Sequence, residues 1–188
     1  MSKQTVKYSG KIIQVIEEEK VIPNSNKTKV FEIAKRSPGV RALIIKDGKM
    51  LLSKEYRYEL GDYDYRLPGG KVFDKLNDYL ACNDSYLEDK AAKAVIKECY
   101  EEVGLKVKNP KLIHVSTAGA TIIWNLYYYE ITEFEEDKQH LEEGEIINFS
   151  WFDFEKVKLM CLDGKIKEDR SLGVILKYLL TLNSPSKE

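Results

Sequence analysis

Lys97-Glu98-Cys99-Tyr100-Glu101-Glu102-Val103-Gly104-Leu105 packs three acids into five residues of a helical pattern and closes on a glycine. Acids at positions i, i+3 and i+4 share one helical face, where mutual repulsion costs stability unless a cation lies between them. The economical reading is a divalent-metal site. Working back, Ala92, Val95, Cys99 and Val103 form an apolar stripe, with Glu98 and Glu102 about 100° around the helix from Cys99 and Val103. The acids can therefore face a cleft while the stripe enters the core. Gly104 suits the left-handed residue that ends such a helix. Ser85-Tyr86-Leu87-Glu88 has the form of a capping box, which predicts a helix start near Tyr86.

Carboxylate oxygens are hard ligands of the kind magnesium or manganese takes in an octahedron with several waters. An ion held by Glu98 and Glu102 would neutralise charge on phosphate oxygens and acidify a nucleophilic water, with Glu101 completing the site or orienting that water. Phosphoanhydride hydrolysis is the reaction this arrangement suits. Acids crowding a helix are more often a solvated face. Leu67-Pro68-Gly69-Gly70 upstream and Gly104-Leu105 at the end shift that balance.

With these residues in place, the chain resembles the Nudix hydrolases, whose signature is Gly, five residues, Glu, seven residues, then Arg-Glu-apolar-x-Glu-Glu-x-Gly-apolar. Glu98, Cys99, Glu101, Glu102, Gly104 and Leu105 match its second half, Lys97 replaces the Arg, Asp89 stands at the first Glu and Gly70 at the signature Gly. The separation of Gly70 and Asp89 is 89 − 70 = 19 residues against 6 in the signature, an insertion of 13. Lysine is a point charge without the planar guanidinium fork, so Lys97 orients Glu101 less rigidly than an arginine.

A narrower resemblance points to the ADP-ribose pyrophosphatase branch. It rests on Pro38-Gly39-Val40-Arg41, Glu55-Tyr56-Arg57-Tyr58, Leu67-Pro68-Gly69-Gly70-Lys71, Glu142-Glu143-Gly144-Glu145 and Asp163-Gly164-Lys165-Ile166. By that resemblance the Gly69 carbonyl and Glu145 join Glu98 and Glu102 as metal ligands, Glu143 is the catalytic base, and Arg41 and Arg57 bind substrate, a surface strand arginine being the alternative for Arg57; the Arg66 guanidinium could also take a phosphate or a base. For Arg66 a salt bridge with a neighbouring Asp competes with that role. Thr117-Ala118-Gly119 and Arg66 depart from the branch's usual Ser-Pro-Gly and Glu.

The resemblance implies an α+β fold: a Nudix-type α/β/α sandwich with a mixed sheet over residues 39–188, preceded by a small N-terminal β-subdomain over 1–38. It also implies a homodimer through that subdomain, and magnesium- or manganese-dependent hydrolysis of ADP-ribose or an ADP-sugar to AMP and a sugar phosphate. Other readings are a Nudix pyrophosphatase for a GDP-sugar, dinucleotide or damaged nucleoside triphosphate, a non-catalytic nucleotide sensor, or a structural protein with an acidic helix.

The rest of the chain frames these readings. Residues Tyr8 to Val21 and Lys27 to Lys35, split by Pro23-Asn24-Ser25-Asn26, predict a hairpin or meander, and Val40 to Ile45 and Met50 to Tyr58 predict strands. Leu76, Tyr79 and Leu80 allow a short helix. Strands are expected at Lys111 to Thr117, Thr121 to Thr132 and Glu145 to Phe152, a loop at Glu133 to Gly144, helices at Phe154 to Leu162 and Asp169 to Leu182, and disorder from Asn183 to Glu188. Tyr127, Tyr128 and Tyr129 could stack a nucleobase, though core packing is the commoner use. Trp124 and Trp151 read as packing residues. A net charge of −1 with mixed signs leaves no basic footprint for nucleic acid, and 43% hydrophobic with 32% charged residues is a soluble composition. Three cysteines without a CxxC pair suit a reduced cytoplasm and no thiolate zinc site. No apolar run approaches the roughly 18 residues of a membrane span.

Overall fold

In the computed structural model, which describes residues 3–182, alternation along one strand sorts the core into two layers. Strand β4 (Gly39–Lys46) sends Val40, Ala42 and Ile44 to one face and Arg41 and Leu43 to the other. Helix α2 (Leu87–Val103) covers the first face, packing Ala91, Val95, Cys99 and Val103 against Val40, Ala42 and Ile44. Helices α3 (Phe154–Leu162) and α4 (Asp169–Leu182) cover the second, with Val157, Met160, Ile175 and Leu179 against Leu43. The sheet between them runs in the order β12 (Ile147–Asp153), β5 (Lys49–Arg57), β4, β10 (Leu126–Ile131), β8 (Lys111–Ser116), with β6 (Asp62–Arg66) added to β5. β10 is parallel to β4 and the other pairs are antiparallel, so the sheet is mixed. The expected α/β/α sandwich is present. Among the described residues, no helix is long and apolar enough to cross a membrane.

A second sheet holds the antiparallel meander β1 (Lys3–Ser9), β2 (Ile13–Val21) and β3 (Thr28–Arg36), with the two-residue strand β9 (Ile122–Ile123) parallel to β3. The N-terminal sheet thus borrows a strand from beyond residue 38, and Ala34 N–H donates to the Thr121 carbonyl at 2.8 Å.

Several local expectations are corrected. Ser85 does not cap α2. Asn83 accepts from the Ser85 N–H at 3.0 Å, opening a 3₁₀ turn (Asp84–Tyr86), and α2 continues from Leu87 without a side-chain cap. The run from Thr121 to Thr132 splits between the two sheets as β9 and β10. The Glu133 to Gly144 loop contains β11 (Phe134–Glu136), paired with β7 (Leu105–Val107). Three-residue strands carry too little alternation to be read locally. Asn183 to Glu188 lies outside the described residues. Tyr127, Tyr128 and Tyr129 are all buried, with Tyr128 on the α3–α4 side and its neighbours on the α2 side, so they offer no stacking face.

Candidate active site

Two glycines set the distance between sheet and acidic helix. Gly69 has φ +146°, and a Cβ there would stand 2.1 Å from the Val40 carbonyl oxygen, so no other residue lets the chain pass β4 this closely. Its N–H donates to Glu102 Oε2 at 2.8 Å. The Pro68 and Gly70 carbonyls accept from Ala42 and Val40, so the segment is strapped to β4 on both sides of Gly69. At Gly70 a Cβ would stand 2.2 Å from Glu98 Oε1: the missing side chain is where the Glu98 carboxylate sits. The helix ends at Gly104 (φ +64°, ψ +39°), where a Cβ would meet the Asp137 carbonyl at 2.5 Å. These glycines are thus points of close approach, to backbone at Gly69 and Gly104 and to the Glu98 carboxylate at Gly70.

These straps border a cleft of about 580 Å³ whose lining mixes acids with arginines. Glu98, Glu101, Glu102, Glu142 and Glu145 line it, together with Gly69 and Gly70. Burial, then repulsion from Glu98, pushes Glu102 up to about 8, against the pull of the Gly69 N–H and Arg41. Burial also pushes Glu98 up to about 7, with Lys97 opposing and Glu101, Glu145 and Glu142 adding to it. Lys97 Nζ lies 3.1 Å from Glu101 and 4.0 Å from Glu142, so the lysine at the signature arginine position still ties Glu101 down. Glu142 N–H donates to Glu145 Oε2 at 3.0 Å. Among the described residues, no three His, Cys, Asp or Glu side chains are gathered as a ready-made metal cage. The donor set still suits magnesium, which takes one or two carboxylates and retains several waters. Two facing carboxylates, each raised by burial, are the charge arrangement a cation would relieve.

Two expected residues lie elsewhere. Asp89 is exposed in the first turn of α2, nine residues before Glu98 and so about 13 Å along the axis. Glu143 is exposed on the Glu142–Glu145 loop and, unlike its neighbours Glu142 and Glu145, does not line the cleft.

The three expected arginines all line the cleft but already hold carboxylates. Arg41 is buried and forks onto Glu168, Nε at 2.9 Å and Nη2 at 2.7 Å, while Nη1 donates to the Val40 carbonyl at 2.8 Å. Burial would raise Glu168, but the Arg41 fork, with Ser171 and Arg66, holds it down at about 2. Glu55 bridges the other two, Oε1 to Arg57 at 2.7 Å and Oε2 to Arg66 at 3.0 Å, and Arg57 also donates to Glu59 at 2.8 Å. Arg66 is 3.9 Å from Asp64, longer than a hydrogen bond, and its buried Nε has no hydrogen-bond partner. Both readings of Arg66 therefore meet in one place: it lines the cleft and is ion-paired.

Sequence reasoning missed Glu168 and the Arg36–Trp124–Arg170 cluster. Arg36 and Arg170 each lie 4.2 Å from the Trp124 ring centroid and form no ion pair among the described residues. Trp124 and Trp151 do pack, the latter on Phe134. No local pattern announces such partners, which come from different elements. Cys99 is fully buried in the core, and burial raises its thiol well above the ordinary range, as suits a packing residue.

Comparison with known proteins follows the same lines. A sequence comparison with curated proteins gives no match. One solved structure, the crystal structure of an ADP compounds hydrolase, aligns with a TM-score of 0.69 at 15% identity, over 95% of this chain and 90% of that one, a likeness of fold. The NUDIX domain model matches residues 35–171, most of the chain and all of the cleft's acidic helix. The chain therefore belongs to the NUDIX domain family, the Nudix hydrolases.

Proposed function

We propose that this Nudix hydrolase cleaves the pyrophosphate bond of a nucleoside diphosphate derivative, an ADP-sugar first, in a divalent-metal-dependent reaction. The observation that carries the reading is the pairing of Glu98 and Glu102 with the Gly69-Gly70 strap, in one cleft with Arg41, Arg57 and Arg66. The solved ADP compounds hydrolase of like fold supports the choice of adenine nucleotide. Glu98, Glu102, Glu145 and the Gly69 carbonyl would hold the metal, magnesium or manganese. When bound, such an ion polarises a phosphoryl oxygen and acidifies a water.

The chain's own residues supply the rest. Gly69 N–H keeps the Glu102 carboxylate oriented, and Lys97 does the same for Glu101. Arg57 and Arg66 exchange part of their hold on Glu55 and Glu59 for substrate phosphate oxygens. A base on the Glu142–Glu145 loop takes a proton from the attacking water, the bridging P–O bond breaks, and AMP and a sugar phosphate leave. The branch resemblance assigns the base to Glu143, while Glu142 and Glu145 are the loop acids that line the cleft. The N-terminal sheet supports a homodimer: every residue of β1 is exposed, Val6, Tyr8 and Val30 among the apolar side chains left uncovered. Light scattering should then give twice the 21.7 kDa chain mass.

The test is product analysis with magnesium and ADP-ribose, ADP-glucose, GDP-mannose, a diadenosine polyphosphate and an oxidised dGTP. Metal-dependent AMP from ADP-ribose or ADP-glucose is expected. Glu102→Gln should lower kcat by roughly 10²-fold or more with the fold intact. Wild-type turnover in that variant would refute the assignment.

A further inference from the structure

The 13 residues inserted between Gly70 and Asp89 do not hang free of the cleft. At its root the segment is pinned to the chain just before β4. Lys71 bridges to Gly39, Val72 N–H donates to the Pro38 carbonyl at 2.9 Å, and the Ser37 hydroxyl brackets Phe73, accepting from its N–H and donating to its carbonyl, both at 3.2 Å. Beyond the root, Leu76 is buried in the first turn of helix α1 (Leu76–Leu80), and the Tyr79 ring lies 5.9 Å from that of Phe73. Anchored by backbone bonds at one end and core packing at the other, the segment is a wall and not a lid.

Phe73 and Asp74 stand on the cleft side of this wall. Phe73 is half-buried and Asp74 exposed. Asp74 also adds to the raising of Lys97, which places it near the acidic helix. A carboxylate there shares its cleft with Glu98, Glu101 and Glu102, so it is repelled by a phosphate and, as an acceptor only, it needs a donor. The aromatic ring beside it offers an apolar face. A sugar ring answers both: C–H groups for the ring and hydroxyl donors for the carboxylate, on the group nearest the diphosphate.

We propose that the inserted segment is a specificity wall that, through Phe73 and Asp74, recognises the hydroxyl-rich sugar half of the substrate. This deepens the pyrophosphatase reading and rests on it for the position of the diphosphate. The insertion therefore sets which sugar is accepted, while the acidic helix sets the chemistry.

The test is calorimetric binding of ADP, ADP-ribose, ADP-glucose and GDP-mannose, with calcium as the metal, to wild type, Asp74→Asn and Phe73→Leu. The difference between ADP-sugar and ADP isolates the sugar and needs no turnover. Wild type should bind at least one ADP-sugar about tenfold more tightly than ADP, the effect of one charge-assisted hydrogen bond. Asp74→Asn should close that gap and Phe73→Leu narrow it, with affinity for ADP not lowered in either variant and, in Asp74→Asn, raised if it changes at all, because a charge that repels the diphosphate is removed. Asp74 is exposed, so its variant keeps the test sound if Phe73→Leu loosens the fold. Absence of the gap in wild type, its persistence in both variants, or losses that follow the base and not the sugar would overturn the inference. Failure of every substrate in the turnover panel, with the binding gap intact, would instead strike the pyrophosphatase reading alone.

Discussion

Gly69 and Gly70 are adjacent, yet replacing each by alanine should damage different properties. At Gly70 the new Cβ lies 2.2 to 2.7 Å from the Glu98 carboxylate and nothing nearer is backbone. Restoring an ordinary contact of about 3.4 Å requires the carboxylate to move by about 1.2 Å, which its flexible stem can do at roughly 0.5–1.5 kcal/mol of rotamer strain. Loss of glycine's freedom in the unfolded chain returns about 0.4–1 kcal/mol, so the melting temperature should change by no more than about 4 °C. The rate should suffer, because a 1 Å misplacement of a catalytic group costs on the order of 10²-fold. At Gly69 the obstacle is the Val40 carbonyl at 2.1 Å, with Arg41 Cα at 3.0 Å, and φ is +146°. The strain alone is about 1–3 kcal/mol, and β4, a central strand, must shift as well. Gly69→Ala should therefore lower the melting temperature by about 10 °C or more. Calorimetric melting and steady-state kinetics on both variants decide it. Wild-type kcat in Gly70→Ala, or equal melting losses in the two variants, would refute the placement of Glu98 against Gly70.

Glu168→Gln should cost about 3 kcal/mol or more, because it leaves the buried Arg41 guanidinium without its counter-charge; a denaturant titration within 1 kcal/mol of wild type would contradict this. Glu168 has a folded pKa depressed to about 2 from its ordinary 4.5, so its contribution is fully present above pH 4.5 and is lost as pH falls toward 2. Between those pH values wild type should therefore lose stability faster than Glu168→Gln, and parallel curves would remove the ion pair from the account. Single Gln variants of Glu142, Glu143 and Glu145 separate the loop acids: the base variant loses kcat with its metal requirement unchanged, and a metal-ligand variant raises the metal concentration needed. A Glu143 variant with unaltered kcat would move the base to a cleft-lining neighbour. Arg57→Ala should raise KM about tenfold with kcat less affected, and unchanged kinetics would leave Arg57 as a partner of Glu55 and Glu59 alone.

The sequence by itself determined the acidic helix, its glycine stop and the face its acids take, because helical period and left-handed termination are local properties of a few consecutive residues. The run from Val40 to Ile45 read as a strand in the same way, while the sandwich around it was implied by the resemblance to the Nudix hydrolases. Tertiary structure alone decided the partners. Arg41 read as a substrate residue and lines the cleft, and its partner there, Glu168, 127 residues later, was not legible in the sequence. Arg36 and Arg170 meet over Trp124 from β3 and α4, and the insertion closes on Ser37. Among consecutive acids on one loop, Glu142 and Glu145 line the cleft and Glu143 does not. Such contacts depend on register and docking between distant segments, and no local periodicity encodes which side chain will be waiting there.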